Sequence, residues 1–406
     1  MSLFSKKNNG ERFGVLIDIG SGSALAAIIH SSEADTSPTI IWHTREHAPL
    51  KNIESTAESA KAVTTALMNA LLRLDGEGRK AMDAFRKGEK IKEIQCTISA
   101  PWSYTVTKNI NYKQEEAFQI TEALIDELTR TAEEKTANEM EETDSVSQLG
   151  LKVVAQTVMS LMANGYVISP SSKGETKELS LVHGSVVTQQ YLVDSLQDIK
   201  SKLFPEATLK TLSYVMTIYC VSRDLFPHLT EACLVDVTYE ATEIGIVREG
   251  SLQYSTHTPF GLFSLAREIA EITKVPAHEA FKYLHSETPY SFTETLTESR
   301  KAEIETMFEA YIERLSTLFH ETGDELSIPK QLVVNTEAGT EAIMKDLLDK
   351  AAKRATKSSP GITMITSKLL TKKDTANAEN VTADTAMLVG ARFFHKQNHC
   401  ISFDYL

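Results

Sequence analysis

Two aspartates, one in each half of the chain, occupy the same place in a repeated pattern. Asp18 ends the apolar run 13–17, and Asp236 ends the apolar run 232–235. Each is followed by a short polar turn and a second apolar run, which is the pattern of two strands joined by a hairpin. A strand–turn–strand unit that occurs once in each half predicts a chain built from two related lobes.

The first turn has the composition of a phosphate-binding loop. Glycine and serine at Gly20, Ser21, Gly22 and Ser23 let backbone N–H groups approach phosphate oxygens closely. An aspartate at the strand end, Asp18, can hold a hydrated cation. A short Gly/Ser turn is also an ordinary hairpin, so this turn alone leaves both interpretations open.

The composition excludes several classes of protein. A chain of 406 residues is long enough for several subdomains, and its net charge of −13 leaves no basic surplus to neutralise a nucleic acid. No apolar run approaches the roughly 20 residues that a membrane-spanning helix needs. The four cysteines, Cys96, Cys220, Cys233 and Cys400, have no C-x-x-C spacing. We therefore expect a cytoplasmic protein that does not bind nucleic acid.

The predicted elements also repeat. In each half, three strands precede a helix, and a further strand and helix close the half, which indicates two duplicated α/β lobes. Between the halves the acidic segment 115–142 is helix-prone, and Asn164-Gly165 is a strong hairpin signal. A strand over 179–188, a helix over 190–203 and a short strand over 208–212 complete this stretch, which we interpret as an inserted subdomain.

These patterns predict four segments. They are the N-terminal part of the first lobe (1–112), the inserted subdomain (113–212), the second lobe (213–380), and a closing helix and tail that return to the first lobe (381–406). In the tail, Ile401, Phe403 and Tyr405 alternate with period two, which favours a strand over an interfacial helix.

The duplicated order, with Asp-x-Gly-Ser after the first strand, resembles the actin-like ATPase superfamily, and specifically the type that includes the cell-division protein FtsA and the type IV pilus protein PilM. Residues 18–23 are similar to the family's first phosphate loop, residues 98–101 to its first connecting strand, and residues 383–391 to its second connecting helix. The resemblance implies a two-lobed actin-like fold, a duplicated ribonuclease-H-like α/β unit, with an FtsA/PilM-type insert in the first lobe.

The resemblance also implies a site for ATP or ADP with magnesium. The expected nucleotide-binding residues are Asp18, Gly20, Ser21, Gly22, Ser23, Asp236, Thr242 and Gly339. Asp18 and Asp236 would hold the magnesium through water. Asp236 has a second interpretation, as an acidic residue that only caps a turn.

Two loops depart from the family. The family's second phosphate loop is glycine-rich, but here Asp236-Val237 is followed by Thr-Tyr-Glu-Ala, and Glu240 adds a negative charge beside an anion. Glu243 is left to stand in for the family's second acid. In the adenosine loop only Gly339 remains of the usual adjacent glycines. These losses argue against ATP hydrolysis.

We therefore expect a scaffold with weak or no ATPase activity, which recruits the cytoplasmic tail of a membrane protein in cell division or in pilus or envelope assembly. FtsZ-like and PilN-like proteins are the candidate partners, self-assembly is another interaction to consider, and membrane contact is indirect. The alternative is a functional, polymerising actin-like ATPase of cell division. A sugar or acetate kinase on the same fold is a third interpretation that the sequence does not favour.

Overall fold

The computed structural model describes residues 10–49, 56–142, 150–323, 326–371, 384–396 and 401–406. Cys400 and Ala383, which the sequence analysis named, lie outside these residues. The strands of the described residues are β1 (Arg12–Ile19), β2 (Ser23–Ser31), β3 (Thr39–His47), β4 (Glu93–Ile98), β5 (Ser103–Gln119), β6 (Leu151–Ala163), β7 (Tyr166–Val167), β8 (Glu175–Gln189), β9 (Thr208–Ser213), β10 (Ala232–Val237), β11 (Thr242–Arg248), β12 (Ser251–Thr258), β13 (Gln331–Thr336), β14 (Gly361–Met364) and β15 (Asp404–Tyr405).

The helices connect these strands. They are α1 (Thr56–Arg73), α2 (Arg79–Phe85), α3 (Glu122–Glu142), α4 (Gln190–Leu203), α5 (Tyr214–Leu225), α6 (Leu262–Thr273), α7 (Ala277–Tyr283), α8 (Glu298–His320), α9 (Glu341–Thr356), α10 (Ser367–Thr371) and α11 (Thr385–Lys396). A π-helical turn, Leu74–Gly78, joins α1 to α2, and a 3-10 turn, Ser291–Thr295, precedes α8.

Each lobe is built on a five-stranded sheet with the same internal order. The first sheet runs β3-β2-β1-β4-β9, and the second runs β12-β11-β10-β13-β14. In both, the strand that carries the aspartate pairs antiparallel with its hairpin partner and parallel with the strand on its other side. Strands β1 and β10 are buried along nearly their whole length, which is why they are continuous apolar runs in the sequence.

Helices α5 and α11 lie between the two sheets. Buried residues of both belong to one core with strands of the second lobe and the insert, among them Tyr219 and Phe393. Gly390 permits close packing of α11 on the first sheet, because a Cβ atom there would lie 2.8 Å from the Leu16 side chain.

The insert has its own sheet, in the order β15-β6-β8-β5, with α3 packed on it and β7 paired to β6. The hairpin at Asn164-Gly165 is present, and both residues have positive φ (49° and 82°), the conformation for which Asn-Gly is favoured. The C-terminal strand β15 pairs with β6, with Tyr405 opposite Ala155. The tail is thus extended, as its alternating apolar residues indicate.

Two expectations about the insert need correction. Helix α4 and strand β9, which we grouped with it, complete the first lobe: β9 pairs in parallel with β4, and Leu192 and Leu196 of α4 join the first lobe's core. Strand β5, which we placed in the first lobe, belongs to the sheet of the insert. The error arose because local sequence predicts a strand but not the sheet in which it pairs.

Polar contacts tie the insert to the second lobe. The Thr105 carbonyl accepts a hydrogen bond from Ser255 Oγ (2.9 Å), and Thr107 Oγ1 donates to the Leu252 carbonyl (3.1 Å). Asn109 Nδ2 donates to Gln253 Oε1 at 2.8 Å. Strand β5 thus joins the insert to β12 of the second lobe.

Within the described residues, Cys96, Cys220 and Cys233 are buried. Among those same residues, helices that combine the length and the apolarity needed to cross a bilayer are absent.

Candidate interlobe site

A cavity of about 340 Å³ lies between the lobes, where β1, β10 and β13 end and α11 begins. Of the predicted site residues, Asp18, Gly20, Ser23 and Asp236 line it. Ser21, Gly22, Thr242 and Gly339 do not. The other lining residues are Arg45, His47, Ser99, Tyr214, Val237, Thr238, Tyr239, Leu262, Asn335, Thr336, Glu337, Ala338, Asp384, Thr385 and Ala386.

Asp18 is held by an arginine that the sequence analysis did not single out. Arg45, on β3, places Nη2 2.9 Å from Asp18 Oδ2, and its Nε and Nη2 contact the two oxygens of Asp384 at 2.6 and 3.1 Å. Arg45 Nη1 also donates to Ser23 Oγ at 2.8 Å. The second oxygen of Asp18 accepts a hydrogen bond from Thr97 Oγ1 (3.1 Å). Both Asp18 oxygens therefore have protein partners.

The two acids around Arg45 have different electrostatic environments. Burial raises the pKa of Asp18, and the Arg45 charge only partly offsets this. Burial would also raise the pKa of Asp384, but the charge and hydrogen bonds of Arg45 hold it below the ordinary value. Asp384 also caps α11, because its Oδ1 accepts a hydrogen bond from the Met387 N–H (2.9 Å).

The first turn is closed on itself and on the second turn. The Gly20 N–H donates to the Ser23 carbonyl at 2.9 Å. Ser21 Oγ accepts a hydrogen bond from the Glu240 N–H and lies 2.7 Å from Thr238 Oγ1. Because Thr238 Oγ1 donates to the Ala241 carbonyl (2.9 Å), Ser21 is the donor to Thr238. Ser21 thus binds the first turn to Thr238 and Glu240 of the second turn.

Side chains fill the space that glycines would leave open. Tyr239 packs on Gly22, where an added Cβ would lie 2.9 Å from the Tyr239 Cβ. Its ring lies 4.5 Å from that of Phe263 and 5.3 Å from that of His47, measured between centroids. Glu240, which we expected to repel an anion, is bound by both terminal nitrogens of Arg267 at 2.7 Å.

Asp236 lies at the end of β10 and is 2% exposed. Its Oδ1 accepts a hydrogen bond from Asn335 Nδ2 (2.8 Å), whereas Oδ2 has no hydrogen-bond partner among the described residues. The Ser99 hydroxyl lies close enough to lower the pKa of Asp236 slightly, without hydrogen-bond geometry to Oδ2. Burial dominates and raises this pKa to about 7.

Thr242 and Glu243 are not among the residues that line the cavity. Thr242 Oγ1 donates to the Phe260 carbonyl at 2.7 Å, inside the second lobe. The carboxylate of Glu243 is buried, and within the described part of the chain its oxygens lack a hydrogen-bond partner, although the Ala100 amide is close enough to lower its pKa slightly. Burial, and then the nearby Asp236, raise the pKa of Glu243 well above its ordinary value. Neither residue supplies a group to the cavity.

Gly339, in the loop after β13, lies beside the cavity and is not one of its lining residues. Gly339 has φ of 93°, and its N–H donates to Glu341 Oε2 at 2.6 Å. A Cβ on Gly339 would lie 3.1 Å from the His285 ring. His285 Nε2 lies 3.8 Å from Glu337 Oε1, and the nearby Glu337 carboxylate raises the pKa of His285.

The residues present do not fit a nucleotide with magnesium. Phosphate groups would have to separate the bonded turns, and a cation on Asp18 would have to displace Arg45. Within the ranges that the structure covers, groups of three or more His, Cys, Asp or Glu placed to hold a metal ion are also absent. Sequence reasoning missed Arg45 because its partners Asp18 and Asp384 are 27 and 339 residues away along the chain.

Comparison with known proteins found similar solved structures. No protein-family model matches the sequence, and no curated protein matches it. A chain of the PilM-PilN type IV pilus biogenesis complex is 11% identical, with 94% of this chain and 98% of that chain covered and a TM-score of 0.54. EutJ, an ethanolamine utilization protein from Carboxydothermus hydrogenoformans, is 9% identical over 86% of this chain and 84% of its own (TM-score 0.41).

A Bacteroides thetaiotaomicron protein of unknown function with an actin-like ATPase fold is 9% identical over 89% of this chain and 94% of its own (TM-score 0.38). At such identities a likeness concerns the fold alone. The repeated strand order of the two sheets and the likeness to the PilM-PilN structure give the same result. The chain has the two-lobed actin-like α/β fold, with an inserted subdomain that has its own sheet.

Proposed function

We propose that this protein is an actin-like docking scaffold that works without nucleotide, and that it recruits the cytoplasmic tail of a membrane protein in pilus, envelope or division assembly. The observation that carries the proposal is the direct bond between the two phosphate turns, Ser21 Oγ to Thr238 Oγ1 at 2.7 Å. In an ATPase of this fold the phosphates would lie between these turns.

A fixed arrangement of the lobes supports the same function. Besides the Ser21 contacts, Arg45 joins the first sheet to the start of α11, and β5 of the insert is bonded to β12 of the second lobe. The Ser21 contacts and the β5–β12 bonds therefore hold the lobes together, and Arg45 fixes the start of α11 on the first sheet. A nucleotide-driven opening would have to break them, whereas a docking platform gains from their rigidity.

A groove beside the insert is suited to an extended peptide. It has a volume of about 710 Å³ and lies between β6, α5 and the tail residues 401–404. Its lining carries charges of both signs, Arg223 and Lys396 on one hand, Asp224 and Asp404 on the other. The edge of β6 already accepts strand β15, which indicates that it can pair with an added strand. The PilM-PilN structure, a complex by its name, makes a PilN-like protein the candidate partner.

Site-specific crosslinking in cells tests this proposal. A photocrosslinking amino acid replaces Ser402, an exposed residue of the groove, and a control variant carries it at Lys61, exposed on α1. We expect the Ser402 variant, and not the Lys61 variant, to capture a membrane protein through its cytoplasmic segment. Filaments that sediment only with magnesium ATP would instead favour the polymerising ATPase and would overturn the proposal.

A further inference from the structure

Four residues that line the interlobe cavity each have a buried polar atom without a hydrogen-bond partner among the described residues. Three of these residues are almost fully buried: Tyr214, Asp236 and Asn335 are 1%, 2% and 5% exposed, and their partnerless atoms are Oη, Oδ2 and Oδ1. The fourth is the half-buried Glu337, through Oε2. A buried polar atom without a partner is energetically costly, so a site that gathers several of them favours a ligand that can bond to them.

The charges of the lining residues determine which sign of charge the ligand should carry. Asp18, Asp236, Glu337 and Asp384 contribute carboxyl groups, and Arg45 is the one lysine or arginine among the lining residues. The surrounding protein and the Arg45 charge lower the pKa of His47, a lining histidine that keeps part of its surface exposed. The cavity is therefore negative on balance, which opposes phosphates and carboxylates and attracts a cation.

The partnerless atoms also select the chemistry of the cation. Asn335 Oδ1 is an acceptor only, as is Asp236 Oδ2 when Asp236 is ionised, and Tyr214 Oη can accept as well. An ammonium group has three N–H donors and no acceptor, which matches this set. A divalent metal ion prefers several carboxylate ligands, but Asp18 and Asp384 are both bound to Arg45, and the described residues contain no group of three or more His, Cys, Asp or Glu placed to hold a metal.

We propose that the interlobe cavity binds a small organic cation through a primary ammonium group, which donates hydrogen bonds to Asp236, Asn335 and Tyr214. The volume of about 340 Å³ is within the range of small-molecule sites. The mouth is reachable from solvent, because His47 is exposed and Ala338 is only half-buried. The inference goes beyond the scaffold role and depends on neither the groove nor a partner.

Thermal unfolding titrations with simple amines test it. Methylammonium and putrescine are the probes, and tetramethylammonium is the control cation, because it carries the same charge as methylammonium but has no N–H donor. We expect saturable stabilisation by the first two only. Asp236→Asn should weaken putrescine binding about tenfold, since a hydrogen bond to a charged group contributes roughly that factor. Tyr214→Phe, which removes only the hydroxyl, should weaken it by a smaller factor.

The controls separate the proposal from its alternatives. Asp126→Asn, at an exposed position of α3, removes the same charge outside the cavity and should bind the probes like the wild type. Equal stabilisation by methylammonium and tetramethylammonium would overturn the proposal, as would unchanged putrescine affinity in both cavity variants. Stabilisation by magnesium chloride alone that disappears in Asp236→Asn would assign the site to a metal instead. None of these outcomes bears on the scaffold role, which nucleotide binding and crosslinking test separately.

Discussion

The hydroxyl of Ser21 in the first lobe lies 2.7 Å from the hydroxyl of Thr238 in the second. Through this contact the two turns bind each other directly. The Glu240 N–H, which in a glycine-rich loop would be available to phosphate, donates to the same Ser21 oxygen. The backbone of the second turn is therefore bound to the first turn.

Removal of the Ser21 hydroxyl should loosen the two turns. Ser21→Ala deletes two hydrogen bonds and leaves the Glu240 N–H without its partner, so we expect a loss of about 1–2 kcal/mol in the free energy of unfolding. Hydrogen exchange of the Glu240 amide should become faster. Ser201→Ala, which deletes only an exposed bond within α4, is the control and should cost nothing. An unchanged exchange rate at Glu240 would contradict the contact.

Gly22 should tolerate no side chain while Tyr239 is present. In Gly22→Ala the added Cβ would lie 2.9 Å from the Tyr239 Cβ and 3.3 Å from the Phe263 ring, so overpacking should cost about 1–3 kcal/mol in chemical denaturation. Tyr239→Gly in the same chain should remove most of that penalty. Gly76→Ala meets no atom within 4 Å and should be neutral or slightly stabilising, because alanine favours helix. Equal costs for the two alanine variants would exclude this packing.

Arg45 should be important for stability. In Arg45→Met, Asp18 and Asp384 lose their shared partner while they remain largely buried. We expect the free energy of unfolding to fall by about 2–4 kcal/mol, below the full cost of a broken buried pair because Arg45 and Asp384 keep 15% and 20% of their side chains exposed. Arg73→Met, the matched control, breaks surface pairs with Glu46 and Glu77 and should have a much smaller effect. Similar losses in the two variants would refute the role of Arg45.

Asp236 should make stability depend on pH. Its pKa in the folded protein is about 7, against an ordinary 3.8, with burial as the main cause. Between those values the folded state holds a proton that the unfolded state has released, so this group's contribution to stability falls as pH rises. Asp236→Asn has no such proton. We expect the variant to gain about 1–4 kcal/mol relative to the wild type between pH 4 and pH 7, with no further change above.

Urea unfolding at several pH values measures that difference. Because Glu243 and Asp18 are present in both proteins, the comparison reports the titration of Asp236 together with its electrostatic coupling to these two acids. A stability difference that stays constant with pH would mean that Asp236 is ionised throughout and that its burial is less complete than the structure indicates.

Local sequence patterns predict part of this fold, and the rest depends on pairing between distant segments. Strands β1 and β10 are apolar runs ended by aspartate, and the hairpin at Asn164-Gly165 uses residues that favour positive φ, so local patterns predict them. Strand β9 is also a local signal, but its place beside β4 depends on a pairing across the whole insert. The residues of β9 themselves do not indicate that pairing.

The candidate site divides in the same way. Asp18 and Asp236 could be predicted as site residues because each ends an apolar strand. The second turn could be predicted to suit phosphate poorly because it lacks glycines. Arg45 could not be predicted as a site residue, because it is a single charged residue near the end of β3. Its partner Asp384 lies near the other end of the chain. The bond from Ser21 to Thr238 also joins the two halves of the sequence. Tertiary structure decides both contacts, and both determine what the cleft can bind.

Calorimetric titration of ATP and of ADP, with magnesium, into the wild type and into Asp18→Ala tests the central claim most directly. If the joined turns and Arg45 occupy the phosphate site, neither nucleotide should give measurable heat at millimolar concentration with either protein. Micromolar binding by the wild type that is lost in Asp18→Ala would contradict this account, because it would show that the first turn still holds phosphate and that the lobes open to admit it.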